Sequence, residues 1–323
     1  DIFNSPVSDY AKRMVFFIGL AEAVSYWKCA CPPVFRVECG EMSEDDKAFF
    51  KKLWFNGLGE FFYRNGIKTD IDSFVRIDAP EPKNIPQCED YVSSGIEIVP
   101  VGGGKDSAVT TELLRPFGDK LRFFTVNDQP ARTQCVLAGG YSEDKIIKIY
   151  RTIDPELLKR NAEGFLNGHT PFSSVVAFIS MYAGFIEGAD DVILSNESSA
   201  NESNIGGESV NHQYSKSFEF ERDFDEFRRR NFPQSAVYFS LLRPFCELQI
   251  AKQFSQYKQY HSIFRSCNRG SKKNIWCCEC PKCLFVAIML SPFLPPDELN
   301  SIFGCDMLAK TNLETDFDGL CGF

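Results

Sequence analysis

The sequence predicts an α/β protein built on a doubly wound, mostly parallel sheet, with a small aromatic-rich N-terminal region and a C-terminal cysteine knuckle. Three observations carry this expectation. From Gly95 onward, short continuous apolar runs alternate with amphipathic stretches, the pattern of a parallel sheet covered on both faces. A glycine-rich turn, Gly102-Gly103-Gly104-Lys105-Asp106-Ser107, follows the first of those runs and leads into a helix-like stretch. Five cysteines then fall between Cys267 and Cys283.

Taken in order, Met14 to Val24 is apolar but short and interrupted by Glu22, so it reads as a core helix. No apolar stretch approaches the roughly 20 residues of a membrane-spanning helix. From Ser43 to Asn65, Phe49, Phe50, Leu53, Trp54, Leu58, Phe61 and Phe62 recur at helical spacing. Ser43, followed by Asp45 and Asp46, is a reasonable N-terminal signal for that helix. Asp78 to Pro86 carries three prolines and reads as a linker. The expected division is therefore a region over 1–90 that covers substrate or sheet, and a larger domain over 91–323.

In that larger domain the expected strands are Ile96–Val101, Leu121–Val126, Lys145–Tyr150 and Asp191–Asn196. Helices are expected at Ser107–Leu114 and Ala131–Gly139, and in a long stretch that puts Val175, Val176, Ile179, Tyr182, Phe185 and Ile186 on one face. Ligands of such sheets bind at the carboxyl ends of the strands, where the glycine turn lies.

The bulk numbers narrow the function classes. The chain has 323 residues and a net charge of −9, so no basic field exists to hold a nucleic-acid backbone. Arg228-Arg229-Arg230 reads as a solvated helix face, and neither nucleic acid nor membrane is an expected partner. The 13 cysteines are odd in number and clustered, which argues against a disulfide framework and for a reducing, cytoplasmic setting. The 31 phenylalanines suggest a bulky core or an apolar groove. The chain begins at Asp1 rather than Met, which fits a fragment or a processed form.

Chemistry concentrates in three places. The Gly102–Ser107 turn lets backbone N–H groups approach an anion without Cβ clashes, and the following helix adds its positive end. Its spacing is not that of a Walker A loop. The loop after the fourth strand, Ser195 to Asn204, is dense in amides and hydroxyls and holds Glu197 and Glu202. His212, Tyr214 and Lys216 follow it closely. Glutamates placed there suit Mg²⁺ of the kind that triphosphate chemistry needs. Finally, Cys267, Cys277, Cys280 and Cys283 offer four thiolates, with Cys278 as a spare. Four closed ligands are the mark of a structural rather than a catalytic zinc.

The Gly102–Ser107 segment resembles the PP-loop of the ATP pyrophosphatase superfamily, whose pattern is Ser/Gly-Gly-Gly-x-Asp-Ser. That resemblance implies a PP-loop, HUP-like fold and cleavage of ATP to AMP and pyrophosphate. The cysteine spacing, and the segment Leu241 to Lys252, are similar to those of 7-cyano-7-deazaguanine synthases, another PP-loop family. The aspartate-rich signature of those enzymes is missing. In its place stand Ser195-Asn196-Glu197-Ser198-Ser199-Ala200-Asn201-Glu202 and Asn211-His212-Gln213-Tyr214-Ser215-Lys216-Ser217, which look like the UDP-N-acetyl-α-D-muramoyl-L-alanyl-L-glutamate epimerases. The resemblance covers roughly residues 95 to 290.

This second resemblance implies adenylylation of a terminal L-glutamate, inversion at its Cα and hydrolysis to the D-glutamate product, in peptidoglycan precursor synthesis. The expected nucleotide contacts are Gly102, Gly103, Gly104, Asp106 and Ser107, with Lys105 in the loop's variable position. His212, Lys216, Glu197, Glu202 and Tyr214 are the candidate acid–base groups, since inversion needs proton donors on both faces. The implied partners are ATP, Mg²⁺, a structural Zn²⁺ and a UDP-sugar dipeptide. Other readings remain open at this stage: an amide- or nitrile-forming enzyme, a thiolation enzyme using Cys135, or a nucleotide sensor without catalysis.

Overall fold

The structure, a computed structural model, describes residues 8–86, 91–201 and 213–322. In chain order it forms α1 (Asp9–Trp27), β1 (Val34–Arg36), α2 (Glu44–Gly57), α3 (Gly59–Arg64), β2 (Arg76–Asp78), β3 (Ile96–Pro100) and α4 (Lys105–Leu113). There follow β4 (Leu121–Val126), α5 (Pro130–Ala138), β5 (Ile146–Ile149), α6 (Pro155–Ala162), α7 (Phe172–Glu187) and β6 (Ala189–Leu194). The last stretch holds α8 (Phe218–Asn231), β7 (Val237–Ser240), α9 (Glu247–Phe254), α10 (Pro281–Leu290), α11 (Pro296–Phe303) and α12 (Glu314–Cys321). This is a mixed α/β chain with parallel strand pairs. None of its described helices is long and apolar enough to cross a membrane.

Two compact units divide the chain. The first takes residues 1–96, 152–192 and 200–239, and the second takes 97–151, 193–199 and 240–323. The chain passes between them within β3, β6 and β7, and again after residues 151 and 199.

In the first unit, β1 and β2 pair in parallel, Val34 opposite Arg76 and Arg36 opposite Asp78. Its centre is aromatic. Phe50 stacks on Phe178 at 5.5 Å, while Phe17 meets Phe227, and Phe178 meets Phe224, edge to face at 4.8 and 5.0 Å. Such pairs contribute about 0.5–1.5 kcal/mol each beyond the area they bury. The helical periodicity of Ser43–Asn65 is present but broken at Leu58, where α2 gives way to α3. Ser43 caps α2 as expected, in a reciprocal box: the Asp46 N–H donates to Ser43 Oγ at 3.2 Å, and the Ser43 N–H donates to Asp46 Oδ2 at 3.1 Å.

Asp46 has a second task. It is 1% exposed, and its carboxylate accepts from Arg13 Nη2 at 3.3 Å and from Asn231 Nδ2 at 2.7 Å. Arg13 Nη2 also donates to Asn231 Oδ1 at 2.6 Å, and its guanidinium lies 4.8 Å from the Phe17 ring centre. This ties α1, α2 and α8 together around a buried charge pair.

The same helix α8 corrects one expectation. Of the basic triplet at its end, Arg229 is largely exposed, but Arg228 is buried, paired with Asp225 at 2.8 Å and donating to Ser235 O at 3.2 Å. The triplet is partly a structural clamp rather than one solvated face.

The five-stranded sheet has the order β5-β4-β3-β6-β7. β3 pairs with β4, and β4 with β5, all in parallel; Pro100 lies opposite Phe124, and Phe123 opposite Ile146. Adjacent residues Ile98 and Val99, and likewise Phe123 and Phe124, are at most 1% exposed, so both faces of these strands are covered. β6 lies two residues earlier than its apolar run suggested, because pairing starts at Ala189 and takes in Asp190 and Asp191.

Replacing Asp46 by Ala removes the helix cap and leaves Arg13 charged and buried without its carboxylate. We expect a loss of about 3–5 kcal/mol in stability, read from urea unfolding. A loss below about 1 kcal/mol, the scale of an exposed pair, would refute the buried-pair account.

Candidate functional site

The glycine turn is shaped by close backbone packing. β3 ends at Pro100, and Gly103 takes φ +81°, a left-handed conformation that favours glycine. A Cβ there would lie 3.1 Å from the Ala131 carbonyl carbon and 3.2 Å from the Arg132 nitrogen. A Cβ on Gly104 would lie 2.9 Å from Ser266 Oγ, whereas one on Gly102 would meet nothing within 4 Å. The turn is therefore packed from behind at Gly103 and Gly104 and open at Gly102. Gly104 is the N-cap of α4, and Ser107 Oγ donates back to its carbonyl at 3.0 Å. The first-turn N–H groups of α4 have no acceptor within the helix and carry its positive end.

Lys105 opens α4 and is only 3% exposed. Its ammonium pairs with Asp106 and, at 2.8 Å, with Glu247 at the start of α9. Burial alone would push Lys105 down, but the carboxylates of Asp106 and Glu247 outweigh it and hold its pKa above the usual lysine value. Burial pushes Glu247 up, against the pull of Lys105, with Asp106 and Glu197 pushing the same way. Two carboxylates thus pair with one ammonium, and Glu197 lies near enough to act on Glu247. With the carboxylates ionised, the group carries a net negative charge beside the glycine turn.

Glu197 reaches this group from the loop after β6. Its carboxylate accepts the Ser199 N–H at 2.8 Å, and its carbonyl accepts from Arg243 Nη1 at 3.1 Å. Asn196 Nδ2 donates to Ser240 Oγ at 3.0 Å, and Ser198 N donates to Phe245 O at 3.1 Å. The loop is thereby stitched to the segment that leads into Glu247. Glu247 itself was not among the expected site residues. Its sequence signal was slight: an acid after Arg243-Pro244-Phe245-Cys246, at the start of a helical stretch.

Of the expected residues, Gly102, Gly103, Gly104, Lys105, Asp106, Ser107 and Glu197 belong to the second unit and form one group. Tyr214 and Lys216 belong to the first unit. There Tyr214 is buried and its hydroxyl donates to Asp223 Oδ2 at 3.4 Å, while Lys52 pairs with Asp223 and, at 2.7 Å, with Glu219. Burial pushes the Tyr214 phenol well up, so it stays protonated near neutral pH. Lys216 is exposed. Glu202 and His212 lie outside the described residues. Cys135, the nucleophile that a thiolation reading requires, is 3% exposed and its thiol is pushed up to about 12 by burial. A thiol so placed is a poor nucleophile.

The four expected cysteines converge in the second unit. Their Sγ atoms all lie within 4.8 Å of one another, with separations of 4.0 Å for Cys267–Cys280, 3.8 Å for Cys277–Cys283 and 3.5 Å for Cys280–Cys283. Tetrahedral thiolates around a zinc at about 2.3 Å lie about 3.8 Å apart, so the sulfur set fits such an ion. Cys267 Sγ accepts N–H bonds from Gly270 at 3.1 Å and from Cys277 at 3.4 Å. Burial raises its pKa, but those amides outweigh it and bring the thiol to about 7. Cys278 turns away through φ +57° and donates to Phe303 O at 3.3 Å.

Residues 4–241 match the MurL N-terminal domain, and residues 263–323 match the MurL C-terminal domain. The chain belongs to the MurL family. A relative from Xanthomonas oryzae pv. oryzae (strain MAFF 311018), named UDP-N-acetyl-alpha-D-muramoyl-L-alanyl-L-glutamate epimerase, is 35% identical over 314 residues, covering 95% of this chain and 68% of its own. A Micromonospora relative (strain ATCC 39149 / NRRL 15099 / SCC 1413) of the same name is 33% identical with the same coverage. One from Salinispora tropica (strain ATCC BAA-916 / DSM 44818 / JCM 13857 / NBRC 105044 / CNB-440), again of that name, is 32% identical over 92% of this chain and 65% of its own. Both MurL domains contribute to the second unit, since the glycine turn lies in the first match and the cysteines in the second.

Because the folded pKa of Lys105 is raised, its contribution to stability is present below the unfolded value of about 10.4 and is lost as pH rises through the folded value. We expect Lys105→Met to be less stable than the wild type at pH 7, with the gap narrowing above about pH 10.4. Denaturant unfolding across pH 7–11 reads this. A gap that is constant with pH would mean that the ammonium's charge is not what holds the group.

Proposed function

We propose that this chain is an ATP-dependent epimerase that inverts the terminal glutamate of UDP-MurNAc-L-Ala-L-Glu from L to D, in peptidoglycan precursor synthesis. The observation that carries the reading is likeness to epimerases of that name over nearly the whole chain. The glycine turn at the end of a parallel strand supports the ATP requirement, and with it a PP-loop type of fold. In this reading the glutamate α-carboxylate attacks the α-phosphorus of ATP and pyrophosphate leaves. A carboxylate resists loss of its Cα proton because the product would carry two negative charges. The acyl adenylate resembles an ester, so a protein base removes that proton. A donor on the opposite face returns one, and water then releases AMP and the D-glutamate product.

This chain's residues divide the work as follows. The N–H groups of Gly102–Gly104, with Lys105 and Ser107, bind the pyrophosphate end and stabilise its charge as it leaves. Asp106 and Glu247 would hold Mg²⁺, which supplies charge neutralisation there; their negative charge fits a cation. Glu197, Glu202, His212, Tyr214 and Lys216 are the candidates for the two proton-transfer roles. Cys267, Cys277, Cys280 and Cys283 would hold a structural Zn²⁺, and four thiolates alongside ATP suit the cytoplasm.

Incubation with ATP, Mg²⁺ and UDP-MurNAc-L-Ala-L-Glu is expected to give D-glutamate, by chiral analysis after acid hydrolysis, with an equal amount of AMP. Ser107→Ala should lower kcat/KM by about 10²-fold. D-glutamate without AMP would refute adenylylation, and AMP without D-glutamate would refute epimerisation.

A further inference from the structure

We propose that Arg265, Ser266 and Cys267 form a strap through which a metal held by the four cysteines sets the shape of the glycine turn. Metal occupancy and anion binding are then coupled, though the two sites use separate residues. Only the anion-binding step rests on the functional reading above.

Three consecutive residues make the link. The Arg265 N–H donates to Gly103 O at 2.8 Å, fixing the residue whose left-handed backbone makes the turn. Ser266 Oγ occupies the place beside Gly104, 2.9 Å from where a Cβ would stand. Cys267 comes next, is 2% exposed, and is one of the four converging thiols. A single peptide step, about 3.8 Å between Cα atoms, separates the metal ligand from the residue touching Gly104.

The strap is also tied sideways. Arg265 Nε donates to Asn274 O at 3.2 Å, and Nη2 donates to Ser262 O at 3.1 Å. A Cβ on Gly270 would lie 2.0 Å from Ile275 O, so the knuckle closes tightly on itself. There is little slack to absorb a shift of Cys267. Without a metal, no bonds hold the four sulfurs together, and any displacement of Cys267 carries Ser266 against or away from Gly104. Coupling of this kind is reciprocal: an anion seated in the turn should also slow loss of the metal.

Hydrogen–deuterium exchange read by mass spectrometry tests the strap directly, with zinc as the metal. Stripping zinc with a chelator should speed exchange of amides in 101–107 roughly tenfold, leaving α1 peptides unchanged. Ser266→Val, which crowds Gly104 while leaving all four cysteines, should keep its full zinc content and show the same acceleration; Ser266→Ala should behave as wild type. If stripping unfolds the whole protein, α1 peptides accelerate too, and the zinc-loaded Ser266→Val protein decides the matter. Unchanged 101–107 exchange in Ser266→Val overturns the proposal, as does opening of 267–283 on stripping with 101–107 unmoved. With ATP as the probe, the Ser266→Val protein should bind roughly tenfold more weakly than the zinc-loaded wild type. If the zinc-loaded wild type binds no ATP, the phosphate-loop reading fails, while the exchange result still decides the strap.

Discussion

A lysine buried to 3% exposure cannot stay charged without carboxylates beside it, and the second unit is arranged around that requirement. Lys105 begins α4, directly after the glycine turn, so its position is fixed by the strand that precedes it. Asp106 answers it from the same helix turn, and Glu247 from the first turn of α9. The segment leading to α9 in turn holds the loop that carries Glu197, through Arg243, Ser240 and Phe245. One desolvated ammonium thereby brings together segments from three distant parts of the chain. The excess of carboxylate that results would repel a bare polyphosphate, which is the physical reason to propose a divalent cation alongside any nucleotide that binds there.

The first unit answers a different constraint. It has few strands of its own and takes its cohesion from phenylalanines contributed by α1, α2, α7 and α8. Within that apolar mass the Arg13–Asp46–Asn231 group is the costly element, since each member must be satisfied by the others. Such a group specifies how α1, α2 and α8 meet, where aromatic contacts alone would tolerate several arrangements.

Much of this was legible in the sequence because it is local. Strand, glycine turn and helix follow one another within a few residues, so periodicity and Gly-Gly-Gly-Lys-Asp-Ser locate β3, the turn and α4 to within two residues. The cysteine spacing likewise announces its own convergence. What escaped is non-local. Nothing near Glu247 signals that its partner is Lys105, and Arg228 looks like a surface residue until Asp225 and the Ser235 carbonyl are seen to enclose it. The Ser43–Asn65 periodicity continues through Leu58 although the helix does not, because apolar spacing records which side faces the core and not whether every hydrogen bond is made. The aromatic stretch of α2 also gives no hint that its stacking partners lie in α7 and α8.

The central proposal is that the glycine turn and Lys105 together seat the pyrophosphate end of ATP. Isothermal titration of inorganic pyrophosphate with Mg²⁺ into the wild type and into folded Lys105→Met protein tests it most directly. The account predicts saturable one-to-one binding by the wild type, and at least about tenfold weaker binding by the variant, the scale of losing one charged hydrogen bond. Equal affinity in the two proteins, or no binding by either, would contradict it.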